Sequence, residues 1–192
     1  MSLEEARTRQ WLERAVIGLN LCPFAKGVVV KDQVRHVVST ATTPEALLAE
    51  LVAELTHLAA ADPEQLDTTL LIHPQVLTDF LDFNDFLDVA DQALTELGLE
   101  GVLQIASFHP DYQFAGTAPG DAENLTNRAP YPTLHLLREA SIARAVAAFP
   151  EAEQIYERNI ATVTALGHAG WRRLLDEPVD QQGAQHEPGQ QP

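Results

Sequence analysis

Two short segments of the chain carry side chains that can transfer protons or hold a ligand. The first, His109-Pro110-Asp111-Tyr112, ends an apolar run that begins at Gly101. Pro110 favours an extended His109, and residues two apart in extended backbone point the same way, so the imidazole and the Asp111 carboxylate would be neighbours. Such a pair suits general acid or base catalysis, with the carboxylate fixing the tautomer of the imidazole.

The second segment is NRAPYPTLHLLRE, which runs from Asn127 to Glu139. His135 and Glu139 lie four apart on a predicted helix and would share a face, with Arg138 close to it. Arg128 and Arg138 are suited to holding a carboxylate or phosphate. We expect both segments to line one cavity. The predicted catalytic groups are His109, Asp111, His135 and Glu139, and the predicted substrate-binding groups are Tyr112, Asn127, Arg128, Tyr131 and Arg138.

A metal site is the alternative use of the same side chains. The two His/carboxylate pairs supply four N/O ligands of the kind that zinc, manganese or iron accepts. Neither pair has the spacing of a known metal signature, and Arg128 and Arg138 would oppose a cation. We therefore predict an anion-accepting pocket without a bound metal. Taken singly, each of these residues is explained as well by a surface ion pair or a buried, hydrogen-bonded histidine.

Two further residues are weaker candidates for chemistry. Cys22 follows a predicted helix and precedes proline, a position where a thiol beside a histidine can be a nucleophile. Its neighbours Leu21 and Phe24 are apolar, so the prediction is a structural cysteine. His73 repeats the His-Pro pattern of the later strand, and either flanks the same cleft or only closes its strand.

The elements that would position these residues alternate between strand and helix. Capping and apolar spacing predict a helix over 3–18, and the valine-rich stretch 27–40 predicts one long strand or a strand pair. Helices are then predicted from Thr43 and over 78–97, with strands over 68–74 and from 101 to 109. Helices are also predicted over 133–149 and 152–166, with a short one near Trp171. The pattern indicates an α/β fold with a βαβαβ parallel core, an N-terminal helix and C-terminal helices, α+β being the alternative.

A loop and a tail complete the predicted organisation. Residues 109–132 show no helical or strand period, and so long a connection is usually functional when it is ordered. Residues 1–175 are predicted to form a single α/β domain, and the polar Pro/Gly/Gln-rich stretch 176–192 to be a disordered C-terminal tail.

Composition argues against several classes of function. The formal net charge is −16, so the chain would repel phosphate backbones and anionic membranes; we expect no nucleic acid and no membrane as partners. No apolar run reaches transmembrane length, and the stretch MSLEEARTRQWLERAV lacks the apolar segment expected of a signal peptide. The single cysteine cannot form an internal disulfide. A cytoplasmic location is predicted.

The strings GLNLCPFAK, TTLLIHP, FHPDYQFAGT, NRAPYPTLHLLREASI and ERNIATVTALG make the chain similar to the bacterial domain-of-unknown-function 1415 family, over about residues 11–166. The resemblance implies a stand-alone bacterial cytosolic protein and carries no activity, cofactor or substrate. Ala129 stands where serine is common in the family, which argues against a catalytic hydroxyl there.

Together these observations favour an enzyme that acts on a small anionic metabolite in a polar cleft formed by the 109–139 segment. The alternatives are a non-catalytic metabolite-binding domain, a metal-dependent hydrolase and a protein interaction module. No motif names a cofactor or an oligomeric state, so both stay unknown at this point.

Overall fold

Helices enclose a four-stranded sheet in the computed structural model of the chain, which describes residues 1–148 and 154–176. The elements in chain order are α1 Leu3–Trp11, a π-helix Leu12–Ile17, α2 Ala25–Val30, β1 Val34–Val38, α3 Pro44–Ala60, β2 Thr68–Ile72, α4 Phe80–Glu96, β3 Leu103–Phe108, a 3-10 helix Ala122–Asn127, β4 Thr133–Arg138, α5 Glu139–Ala148 and α6 Ile155–Asp176.

The sheet is mixed, with the strand order β1-β2-β4-β3. Strands β1 and β2 pair in parallel, and β4 pairs antiparallel with both β2 and β3. Strands β1, β2 and β3 therefore run in one direction, as the sequence predicted. The α/β class is confirmed, but β2 and β3 are not neighbours because β4 lies between them.

The predicted helix over 133–149 is wrong in its first part. Residues 133–138 form β4, and helix α5 begins only at Glu139. Leu134 and Leu136 are fully buried on one face of this strand, while His135 lies on the other face. This two-residue alternation is the pattern that indicates a strand in the segment, and pairing with β2 and β3 holds the segment in that conformation.

The predicted strand over 27–40 is also wrong in part. Its valine-rich start belongs to the short helix α2, and only Val34–Val38 is strand. The two are separated by a turn in which Asp32 has a φ of 56°. The high strand propensity of valine does not decide the conformation of α2, of which Ala25 and Val29 are partly buried against the core on one sheet face.

The remaining helices follow their sequence signals closely. Ser2 accepts a hydrogen bond from Glu5 N (3.1 Å) and caps α1, and Thr43 caps α3 with Pro44 in its first turn. The predicted helices near 152–166 and Trp171 are one element, α6, interrupted at Gly167, where φ is 64°. The predicted boundaries at Phe149 and Ala152 lie outside the described residues, as does the predicted tail apart from Asp176, which ends α6.

Each face of the sheet has its own apolar core. One face packs against α3 and α4, with Leu71, Phe83 and Leu134 at its centre. The other packs against the N-terminal helices, the 3-10 helix and α6, with Trp11, Leu70 and Leu125 at its centre. Within the described residues, no helix combines the length and apolarity that crossing a membrane would require.

Candidate functional site

His109 and His135, the two predicted catalytic histidines, lie on opposite faces of the sheet. His135 pairs with Ala106 and Leu70, and its ring lies 6.2 Å from that of Phe108. His109 follows Phe108 and so points the other way, toward Phe80 and Phe83 of α4. Contrary to expectation, the structure does not bring the two histidines into one cavity. The face of the sheet on which a side chain lies depends on the strand pairing. The sequence prediction placed residues 133–138 in a helix, so it could not assign His135 to a face of the sheet.

A mostly apolar cavity lies on the His135 face of the sheet. It has a volume of about 370 Å³, within the range of small-molecule sites. The π-helix, α2 and the end of α1 form one wall, the strands form the floor, and α5 forms a side. Its apolar lining comprises Trp11, Leu12, Val16, Phe24, Ala25, Val28, Val29, Val34, Leu70, Ala106, Phe108, Leu137, Ile142 and Ala145.

His135 and Thr68 form a hydrogen-bonded pair in the wall of this cavity. The Thr68 hydroxyl donates to Leu136 O (2.6 Å), so its oxygen must accept from His135 Nε2 (2.7 Å). This assigns the imidazole proton to Nε2 and leaves the lone pair on Nδ1. His135 thus offers an acceptor in surroundings that are otherwise almost entirely apolar.

Burial keeps the His135 ring neutral. It is the main cause that lowers the pKa of His135 to about 4, and the neighbouring His36 is the smaller cause. His36 lies in the same row across the sheet, one strand beyond Leu70, and burial also lowers its pKa to about 4. Both imidazoles are therefore neutral near pH 7, and His135 is suited to accepting a hydrogen bond rather than to pairing with an anion.

A second polar group lies at the α5 side of the cavity. The Ser141 hydroxyl donates to Asp67 Oδ1 (2.5 Å) and accepts from Arg144 Nη2 (2.9 Å). Asp67 and Ser141 both line the cavity, next to Thr68 in the chain and to β4 in space. The polar groups of the cavity are thus gathered at the sheet and α5, opposite the apolar wall formed by α2.

Cys22 also lines this cavity and is half-buried. Its carbonyl accepts from Ala25 N (3.2 Å) at the start of α2. The predicted structural role is compatible with this position, and the thiol is in addition part of the cavity wall.

His109 and His73 lie together on the opposite face of the sheet. Both are fully buried, and their rings lie 5.2 and 5.6 Å from that of Phe83. Each follows the last residue of its strand, β3 or β2. The two imidazoles are close enough for His109 to lower the pKa of His73, although burial is the larger cause and brings that pKa to about 4.

Their hydrogen bonds give these two histidines opposite tautomers. Asp111 N donates to His109 Nδ1 (3.0 Å), so His109 carries its proton on Nε2. His73 Nδ1 donates to Val76 O (3.0 Å), so its Nε2 holds a lone pair. Both Nε2 atoms are buried and make no hydrogen bond of regular geometry. A protonated Nε2 cannot ligate a metal, so His109 is not prepared for that role.

Other predicted members of the site hold the 109–132 loop in place. Arg128 donates to Tyr112 O (3.2 Å) and Pro119 O (2.8 Å), and Asn127 donates to Ser107 O (3.2 Å). The fully buried Asn124, which the sequence reasoning missed, accepts from Phe114 N and donates to Ala118 O. The loop is ordered largely by its own side chains.

Aromatic contacts and short turns place the rest of this loop. The Tyr112 ring packs 5.2 Å from Phe80, which also contacts His109. Asp111 is exposed, and the carbonyl of the half-buried Tyr131 accepts from Thr133 Oγ1 (3.0 Å). The structure therefore brings Asp111 and Tyr112 close to His109, and leaves His135 on the other side of the sheet.

Arg138 and Glu139 mark the junction of β4 and α5. The buried Arg138 guanidinium donates to the carbonyls of Leu58 (2.6 Å), Ala61 (2.9 Å) and Leu66 (3.1 Å) at the end of α3 and in the loop after it. Glu139 is the first residue of α5, and its N–H donates to Val102 O (3.0 Å). These two residues do not share a helical face with His135, because His135 lies in a strand, although Arg138 and His135 both line the cavity.

Potential metal ligands are dispersed in the part of the chain that the structure describes. Across residues 1–148 and 154–176, no group of three or more His, Cys, Asp or Glu side chains is placed to hold a metal ion. The four residues weighed as ligands are split between the two faces, with His109 and His135 on opposite sides.

Sequence reasoning missed most of the cavity because apolar lining residues resemble core residues. The available signal was the valine-rich stretch after Cys22, together with Trp11 and Phe108, whose rings lie 5.1 Å apart. Aromatic and valine side chains at helical spacing usually indicate core, and only the arrangement in space distinguishes a cavity wall from a filled interior.

Comparison with known proteins identifies a family for the chain, but no curated protein or solved structure that resembles it. The sequence profile of the family described as "Protein of unknown function (DUF1415)" matches residues 4–173. No curated protein matches the chain significantly, and no solved structure does. The match extends from the first turn of α1 to the last turns of α6 and takes in every strand between them, and so the chain belongs to the DUF1415 family.

Proposed function

We propose that the chain binds a small, mostly apolar molecule that carries one hydrogen-bond donor, such as a hydroxyl group. The observation that supports this most directly is the cavity of about 370 Å³, whose apolar wall faces the His135–Thr68 pair. Concave, largely apolar sites with a few placed polar groups are the usual form of small-molecule sites.

The tautomer of His135 defines the polar part of this proposal. With its proton on Nε2 and directed to Thr68, the ring presents Nδ1 as an acceptor. A ligand hydroxyl or N–H is the matching group, whereas a carboxylate would meet a lone pair and be repelled. The ligand proposed for this cavity is therefore neutral.

This proposal differs from the anionic metabolite and the 109–139 cleft that the sequence favoured. Arg128 and Arg138, the expected anion donors, donate to backbone carbonyls of the loop and of α3. A binding domain, which was one of the alternatives from sequence, needs only donors, acceptors and apolar walls. The proposed binding function does not require catalysis by His109 or Asp111.

A matched pair of probes tests the proposal. We expect 1-naphthol to bind the purified chain more tightly than naphthalene, by about fivefold, because only the hydroxyl can donate to His135 Nδ1. Fluorescence titration of both probes measures the ratio. In His135→Phe, which keeps the ring and removes the acceptor, the preference for 1-naphthol should disappear while naphthalene still binds.

His73→Phe is the control variant, because His73 is a buried histidine on the opposite face of the sheet. It should keep the preference for 1-naphthol. Absence of binding by both probes in the wild-type chain, or an unchanged preference in His135→Phe, would contradict the proposal.

A further inference from the structure

We propose that α2, together with the turns on either side of it, is a lid that opens to let a ligand reach the cavity. This inference rests on the proposed binding function and adds how the site is controlled. The side chains of Phe24, Ala25, Val28 and Val29 line the cavity, so displacement of this segment would expose its interior.

The lid segment runs between two fixed points. Leu21 is buried, and its carbonyl accepts from Asn159 Nδ2 of α6 (2.7 Å). Gln33 is also buried, and its Nε2 donates to the carbonyls of Glu64 (2.8 Å) and Pro63 (3.4 Å). Residues 22–32 therefore span two anchors on the body of the domain.

A residue with left-handed backbone stands next to each anchor. Asn20 has a φ of 54° and precedes Leu21, and Asp32 has a φ of 56° and precedes Gln33. Asn and Asp tolerate this conformation better than other non-glycine residues, and it reverses the chain direction sharply. Asp32 lies between the segment and its second anchor, so a change of its backbone angles would swing the segment without moving Gln33, whereas Asn20 precedes Leu21 and sets the direction in which the chain enters the first anchor.

The lid helix itself is weakly held. It has six residues, AKGVVV, none of them buried, and Val30 is 76% exposed. Glycine and three consecutive valines have low helix propensity, and a helix this short is unstable without packing. By contrast α3 has four fully buried leucines on one face. The opening free energy of α2 should therefore lie well below that of global unfolding.

Hydrogen exchange of the ligand-free full chain tests the lid directly. The amides of residues 25–31 should exchange much faster than the central amides of α3. Gly27→Ala should slow their exchange about fivefold, because an added Cβ at Gly27 meets no atom within 4 Å and alanine favours the helix. Val30→Gly should speed it about twofold. Neither Gly27 nor Val30 lines the cavity.

Gly120→Ala is the matched control, since a Cβ there also meets nothing within 4 Å and Gly120 lies in the 109–132 loop. It should leave exchange at 25–31 unchanged. If residues 25–31 exchange as slowly as the core of α3, or do not respond to Gly27→Ala and Val30→Gly, the lid proposal is overturned.

Stopped-flow binding of 1-naphthol then tests gating. Gly27→Ala should lower the association and dissociation rate constants together, by about fivefold, and leave Kd unchanged. A change in Kd without a change in association rate would overturn gating. Failure of 1-naphthol to bind at all would count against the binding function, while the exchange result would still decide whether the segment opens.

Discussion

At the scale of single residues, Arg138 shows how a charged side chain can serve the fold. Its guanidinium is buried and donates to three carbonyls, at the end of α3 and in the loop that follows it. The last carbonyls of a helix have no partners within the helix, and a cation near them is favoured by the helix dipole. Arg138 thereby joins β4 to α3 across the sheet face.

We expect Arg138→Met to lower the free energy of unfolding by about 2–4 kcal/mol, because buried carbonyls would lose their donors. Urea unfolding followed by circular dichroism measures the change. Arg35→Met is the control: Arg35 pairs with Glu54 (2.8 Å) at the surface, where such pairs contribute less than about 1 kcal/mol. Equal losses in the two variants would show that Arg138 does not have this structural role.

Residue types alone identified His73, His109 and His135 as noteworthy, and each has a defined hydrogen-bond environment. What the types could not give is the face of the sheet on which each lies. That depends on the register of β4 against β2 and β3, which pairs His135 with Leu70 and Ala106. Contacts between residues far apart in sequence settle this, and local patterns do not contain them.

At the scale of elements, caps and apolar stripes predicted α1, α3 and α4 well. Ser2, Thr43 and Asp79 each accept backbone N–H groups at a helix start. The failures, α2 and β4, are short segments whose conformation is decided by packing. The valines of α2 favour a strand, yet this segment is a helix in the folded chain. The Leu-His-Leu alternation of β4 is compatible with a strand, and pairing with β2 and β3 selects that conformation.

The π-helix that follows α1 ends in a glycine that cannot be replaced easily. At Gly18 the backbone is helical, with a φ of −62°, so alanine would suit it by propensity. A Cβ there, however, would meet Arg14 O at 2.3 Å. The wider π turn brings the Arg14 carbonyl toward residue 18, so that only a residue without a Cβ fits at this position.

We therefore expect Gly18→Ala to destabilise the chain by about 1–3 kcal/mol, because the backbone must shift to relieve the contact. Gly27→Ala, in open space, should instead be neutral or stabilising by up to about 1 kcal/mol. Thermal unfolding of both variants measures the difference. A Gly18→Ala variant as stable as Gly27→Ala would show that the π-helix adjusts without cost.

At the scale of the whole molecule, β4 connects the two halves of the sheet. It forms antiparallel ladders with both β2 and β3. These two strands do not pair with each other, so β4 alone joins β3 to the rest of the sheet. The three parallel strands were predictable from the alternation of strand and helix. The insertion of a later strand between them was not, because it pairs segments that lie far apart in the sequence.

The whole molecule also carries neutral histidines, half-buried on one face of this sheet and fully buried on the other, and these make its stability depend on pH. Burial lowers the pKa of His36, His73 and His135 to about 4, and it also lowers that of His109. In the unfolded chain a histidine titrates near pH 6.5, so between about pH 6.5 and about pH 4 the unfolded state binds more protons. The stabilising contribution is therefore fully present above about pH 6.5 and is lost as the pH falls through this window.

We expect the free energy of unfolding to fall by up to about 1.4 kcal/mol per pH unit for each such histidine as the pH is lowered from about 6.5 toward 4. Urea unfolding at a series of pH values measures the slope. His73→Gln should reduce that slope by close to one proton, because His73 is fully buried. A slope that is the same in wild type and His73→Gln would mean that His73 takes up its proton over the same pH range in the folded and the unfolded chain, so that burial does not keep its ring neutral.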